Sequence, residues 1–174
     1  MNKNVNWIYK VFLLSFLLSA VFSSITGLIN EDLNPVILII ILILFISIGI
    51  IFDMIGVAVL TSKEATFHAK ASKKIKGAKE SIFLIKNNTK VSSICNDVVG
   101  DVCGIVSGTL GALLIVNICN TFDLNVTITT IIVTSIISAL TIGFKAVGKI
   151  VATNKSDNIT FMVGKIFYFL KIRK

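Results

Sequence analysis

The sequence predicts an all-α integral membrane protein: four transmembrane helices plus short amphipathic juxtamembrane helices on the cytoplasmic side. Three observations carry that reading. Of 174 residues, 55% are hydrophobic and 15% charged, and a mean hydropathy of +0.91 excludes an ordinary soluble domain. Four segments reach the roughly 20 apolar residues that cross a hydrocarbon core. The lysines gather between and after those segments, as they do in loops that flank membrane helices. One transmembrane domain over 1–174 accounts for the whole length.

The first span covers about 10–29, with Trp7 and Tyr9 placed like an interfacial belt. Its charged start and apolar middle resemble a secretory signal. The apolar run is long for one and lacks a small-residue cleavage site, so a retained helix is expected. The second span, about 36–60, follows Pro35 and is unbroken up to Asp53. The third and fourth cover about 91–119 and 126–151. The segment 30–34 holds Glu31 and Asp32, and 120–125 holds Asp123; neither holds a lysine. By contrast, 61–90 carries eight lysines, and the tail carries Lys155, Lys165, Lys171, Arg173 and Lys174. The positive-inside bias therefore predicts a multi-pass protein of the cytoplasmic membrane with both termini cytoplasmic. The same lysines would contact anionic lipid.

The middle loop, about 62–86, is itself patterned. Thr61-Ser62-Lys63-Glu64 fits a capping box, with Thr61 as N-cap and Glu64 reaching back. A short helix through Phe67 should end near Gly77. A second, from Ala78 to Lys86, turns Ile82, Phe83 and Ile85 to one side before Asn87-Asn88-Thr89 breaks it. The tail at 159–171 reads as a third basic amphipathic helix.

Several classes of function are excluded. A net charge of +8 belongs to loop lysines rather than to a nucleic-acid surface. Cys95, Cys103 and Cys119 are odd in number without metal spacing and read as small buried hydrophobes. His68, the single histidine, sits among lysines and reads as interfacial. Without a Ser–His pairing, an HExxH or a P-loop, no enzyme is expected. The aspartate spacing of Asp97 and Asp101 invites comparison with CDP-alcohol phosphotransferases, but that motif needs further aspartates and an upstream arginine.

The chemistry-bearing pattern lies in the third span. Asn96, Asp97, Gly100, Asp101, Gly104, Ser107, Gly108 and Gly111 recur at steps of three and four, so a uniform helix gives them one face. Val98, Val99, Val102, Ile105 and Val106 take the other. A charge at mid-membrane costs about 2.5–3.5 kcal/mol on insertion scales. The acids are therefore expected against a partner helix, a water-filled cavity or an ion. Gly100, Gly104 and Gly108 form a small-xxx-small ladder for helix packing, and they also expose carbonyls. Carboxylate, amide, hydroxyl and carbonyl oxygens suit a hard cation. Asp53 is a further intramembrane acid, expected at the depth of Asn96 and Asp97. Lys145 and Lys149 near the inner end of span four would balance charge. An Asp–Lys structural network is the alternative use of the same residues.

The order of these features resembles the transmembrane domain of the cyclin M (CNNM)/CorB–CorC magnesium transporter family. Phe52-Asp53-Met54-Ile55-Gly56-Val57-Ala58-Val59 stands where that family has a Phe-Ser-Gly-Ser-Glu-x-Ala-Leu stretch. Gly77 through Asn88 is similar to its juxtamembrane helices, Asn96 through Asp101 to its Gly-Asn-Asn stretch, and Gly143 through Asn154 to the exit of its last span. The match covers about 48–158 and departs at Gly56, Phe144 and Gly148, while the paired CBS domains have no counterpart in these residues. The resemblance implies a homodimer and a Mg²⁺ or Co²⁺-type site within the membrane. The resemblance carries cation binding to Asp53, Asn96 and Asp97; with Asp101 of the polar face these would be the ligands, with transport driven by the membrane potential or a coupled ion. The alternative expectation is a non-transporting scaffold or partner subunit that binds lipid or protein through its basic inner helices.

Overall fold

The computed structural model describes residues 3–28 and 33–170. Glu31 and Asp32 of the acidic segment, the end of the first predicted span at Ile29, and Lys171, Arg173 and Lys174 of the tail lie outside the described residues. The described residues are helices joined by short connections, with no strand among them. The elements are α1 (Lys3–Gly27), α2 (Pro35–Thr61), α3 (Glu64–Ser72), α4 (Ala78–Lys86), α5 (Asn88–Ser93), a π-helical segment (Ile94–Gly100), α6 (Asp101–Phe122), α7 (Val126–Asn154) and α8 (Ser156–Phe169). Helical stretches at Val5–Gly27, Pro35–Thr61, Asn88–Phe122 and Val126–Asn154 are long and apolar enough to cross a membrane.

Local chemistry sets the ends of these helices. Asn34 Oδ1 accepts the Val36 N–H at 2.9 Å, and Pro35 takes the first helical position, where a missing N–H costs nothing. Asn125 Oδ1 accepts the N–H groups of Thr127 and Ile128 at 3.0 and 3.3 Å and so starts α7. Asp123, at φ 50°, closes α6 in the left-handed conformation typical of C-terminal stops.

The chain divides into two compact units. The first comprises Met1–Ile50 and Val98–Phe144. Its core joins Leu38 and Leu42 of α2 to Val102, Val106, Leu110 and Leu114 of α6. Phe22 of α1 meets Phe45 of α2 edge to face, with ring centroids 5.6 Å apart. A Cβ built at Gly49 would stand 3.2 Å from the Cys103 Cβ and 3.6 Å from the Gly100 carbonyl, so this glycine permits a close backbone approach.

The second unit comprises Ile51–Asp97 and Lys145–Lys174. Here α8 lies on α4, around Val59, Leu84 and Val163. Gly164 makes the approach possible, because a Cβ there would overlap Ser81 Oγ and come 2.7 Å from the Gly77 carbonyl. Buried Thr160 shares a 2.8 Å hydrogen bond with Ser62. The Phe161 ring stands 6.5 Å from that of Phe67. Lys70 Nζ lies 4.3 Å and Lys165 Nζ 4.6 Å from the Phe161 centroid, so one ring holds cations from both α3 and α8.

The expected capping box is not formed. Thr61 is the last residue of α2, and its hydroxyl donates back to the Val57 carbonyl at 2.9 Å. Lys63 stands at the N-cap of α3 without a side-chain cap. Instead Asp157, at the start of α8, accepts the Lys63 N–H at 3.2 Å. Glu64 turns to His68 at 2.9 Å and to Lys86 at 3.6 Å. An acceptor supplied from a distant helix has replaced the local one. The break expected at Asn87-Asn88-Thr89 is confined to Asn87, since α5 starts at Asn88.

Two glycines and one carboxylate test these contacts. Gly164→Ala should lower thermal stability in detergent by about 1–3 kcal/mol through overpacking. Gly104→Ala, with nothing within 4 Å of its built Cβ, should be neutral or gain up to about 1 kcal/mol in helix propensity. His68, through its hydrogen bond, and then Lys86 hold the Glu64 carboxyl below its usual value of 4.5. The linkage between α3 and α4 should therefore be intact above that pH and weaken as the pH falls further. Limited proteolysis of the α3–α4 segment between pH 6 and pH 3 would track this change, and Glu64→Gln should flatten the profile.

Candidate functional site

Two residues on one face of α2, Asp53 and Gly56, organise the polar cluster of the second unit. Asp53 is only 4% exposed. Its Oδ2 lies 3.3 Å from Nζ of Lys145, whose side chain is 21% exposed. A carboxylate withdrawn from water carries a desolvation cost of several kcal/mol, which attraction to a nearby ammonium offsets. The four-carbon stem of Lys145 is long enough to carry its ammonium from α7 to Asp53. The pair ties α2 to α7 within this unit.

Gly56 admits Asn96. A Cβ at Gly56 would collide with the Asn96 carboxamide, so only glycine lets the two helices meet there. Asn96 Nδ2 donates to Ser92 Oγ at 3.2 Å. Its Oδ1 is buried and, among the described residues, accepts no hydrogen bond. Cys95, on the same turn, is also buried and lies close enough to Asp53 to feel its charge.

The other predicted residues take different positions. Asp97 belongs to the second unit but is exposed, and its Oδ2 accepts a 2.9 Å hydrogen bond from Ser93. Asp101 belongs to the first unit and is exposed as well. Gly100 is buried and packs near Gly49, whereas Gly104 and Gly108 face open space. Ser107 and Gly111 are buried together with Val98, Val102, Val106 and Leu110. Lys149, one turn beyond Lys145, lines a shallow cleft with Ile150, Thr153 and Asn154. Among the described residues, no three or more His, Cys, Asp or Glu side chains converge.

The polar stripe expected at 93–111 is thus divided lengthwise: Asn96 is half-buried and Gly100, Ser107 and Gly111 are buried, whereas Asp97, Asp101, Gly104 and Gly108 are exposed. At roughly 100° per residue the stripe covers about 140° of the helix, wide enough to be buried along one edge and open along the other. Sequence reading also missed Ser92 and Ser93, although each stands four residues before its partner, Asn96 or Asp97. Gly56 was visible three residues after Asp53, the spacing of one helical turn.

All three cysteines are buried and unoxidised, in keeping with small core residues. Comparison of the chain with protein-family models, with curated proteins and with solved structures yields no match. The molecule is therefore classed by its architecture, as an all-helical chain with four candidate membrane spans.

If the buried pair is structural, Asp53→Asn alone should cost about 3 kcal/mol, because Lys145 loses its counter-charge. Asp53→Leu with Lys145→Met should recover most of that loss, as read by thermal unfolding in detergent. A double variant no better than the single would refute a purely structural pair.

Proposed function

We propose that this chain is a non-transporting, multi-pass protein of the cytoplasmic membrane. Its work lies in the basic helical platform formed by α3, α4 and α8, which binds the anionic leaflet surface. The observation that carries the reading is the composition of that platform's outer surface. Lys73, Lys74, Lys76, Lys79, Lys86 and Lys165 are exposed there, together with Ile75, Phe83, Met162, Ile166 and Phe169. Met162, Ile166 and Phe169 recur at helical spacing on α8, while its other side packs on α4 through Thr160, Val163 and Gly164. An apolar stripe edged by lysines suits the boundary between headgroups and acyl chains.

Helix lengths support the same placement. The stretch Asn88–Phe122 has 35 residues, about 52 Å at 1.5 Å per residue, against a hydrocarbon core of about 30 Å. Counting about 20 residues back from Phe122 reaches Cys103. Asp97 and Asp101 then stand beyond the hydrocarbon, where exposure of a carboxylate is cheap. The same count of about 20 residues from Pro35 reaches Met54, and from Val126 reaches Lys145. Asp53 and Lys145 thus fall at the inner boundary, as a buried lock at the foot of two spans.

The magnesium reading has one observation in its favour, the buried acceptor Oδ1 of Asn96 in the neighbourhood that holds Asp53. Cation binding there would require Asp53 to exchange Lys145 for the ion, and Asp97 and Asp101 to turn from their exposed positions. A homodimer would find the open side of Gly104 and Gly108 available for packing.

The test uses the full chain in nanodiscs. With phosphatidylglycerol present, amide exchange in α3, α4 and α8 should slow by about tenfold or more relative to phosphatidylcholine alone. In proteoliposomes, Mg²⁺ entry should match protein-free vesicles. Entry above that background, abolished by Asp53→Asn, would overturn the proposal in favour of a cation carrier.

A further inference from the structure

The turn joining α3 to α4 encloses an open cleft of about 380 Å³, lined by Ala71, Lys74, Ile75, Lys76, Gly77, Lys79, Glu80 and Tyr168. We infer that this cleft is a receptor for the phosphate of an anionic phospholipid headgroup. The inference rests on the platform reading above and narrows it to one site.

The backbone makes the concavity. Lys74 at φ 53° and Gly77 at φ 88° both adopt the left-handed conformation, so the chain reverses sharply between the helices. Gly77 is also pressed against α8, since a Cβ there would come within 2.8–2.9 Å of the backbone N and Cα of Lys165. The far wall is therefore held in place by α8, whose Tyr168 completes the lining.

The chemistry of the lining selects the ligand. Three lysines face one glutamate, and flexible ammonium groups bind phosphate as point charges. Lys70 and Lys165 lie against the Phe161 ring and do not line the cleft, so its basic character comes from the turn itself. The volume exceeds that of a bare phosphate ion and leaves room for the glycerol of a headgroup. Glu80 supplies an acceptor for a headgroup hydroxyl, and Tyr168 supplies a phenolic donor.

The rim selects a lipid over a soluble phosphate. Ile75 and Tyr168 are 41% and 39% exposed, and Phe169 beside Tyr168 is 74% exposed. A free anion gains nothing from apolar side chains at the mouth of its site. Acyl chains below a bound headgroup would cover them.

The experiment compares two triple variants of the full chain in phosphatidylcholine nanodiscs. Phosphatidylglycerol is titrated, and bound lipid is counted by native mass spectrometry. Lys74→Gln/Lys76→Gln/Lys79→Gln should weaken saturable binding by about tenfold or more, whereas Lys63→Gln/Lys149→Gln/Lys155→Gln should change it by less than about twofold. Tyr168→Phe, which keeps the ring, should lose about threefold and serves if the first triple is misfolded. Equal losses in both triples would sink the cleft while leaving the platform standing. No preference for phosphatidylglycerol over phosphatidylcholine would sink both. Competition by glycerol 3-phosphate or inorganic phosphate at the affinity of the lipid would assign the cleft to a soluble anion and overturn the lipid inference.

Discussion

A carboxylate that is 4% exposed and an ammonium 3.3 Å away set the terms for the second unit. Asp53 sits in a helix whose preceding 18 residues carry no charge, so nothing on α2 itself can neutralise it. The counter-charge has to come from another helix, and Lys145 on α7 supplies it. Once that pair is made, the rotation of α2 is settled by chemistry. Gly56 must then lie one turn beyond Asp53, where its missing side chain receives Asn96. Pairing of this kind adds little net stability over a well-packed apolar contact, but it penalises every arrangement that separates the partners.

The exposed acids obey a different logic. Asp97 and Asp101 stand on a helical stretch of 35 residues, far longer than the roughly 20 that a hydrocarbon core accommodates. Under the proposed placement the surplus length lies outside the hydrocarbon and tolerates charge. The identical residue type, aspartate, serves as a buried lock in α2 and as an exposed group at Asp97 and at Asp101, the first residue of α6. The difference lies in environment alone.

Within the second unit, the short helices are held by contacts that reach across the sequence. Asp157 accepts the Lys63 N–H, Thr160 meets Ser62, and Gly164 yields to Ser81. Together these dock α8 and leave its Met162–Ile166–Phe169 stripe outside. Packing that spends the small and hydroxylated residues on the interior, and the large apolar ones on the exterior, reverses the usual pattern of a soluble domain. Such a reversal suits a helix that rests on lipid.

Hydrophobic runs and the clustering of lysines were legible in the chain because each is local. Four long apolar helical stretches therefore appear where the apolar runs lie, although the first starts at Lys3 rather than near residue 10, and α4 spans the expected Ala78 to Lys86. The capping box was not decidable locally, since Thr61 and Glu64 each had a competing partner: the Val57 carbonyl for one, His68 and Lys86 for the other. Nor was the partial burial of Asn96 beside exposed Asp97 and Asp101, because a polar stripe that wide does not say which of its edges a neighbouring helix covers. Helix length and apolarity are properties of consecutive residues, so the amino-acid order alone determined them. Which lysine meets Asp53, and which glycines are filled by neighbours, depends on side chains separated by dozens of residues. Only the packed structure decided those, by excluding every arrangement that left a buried charge alone or a Cβ without room.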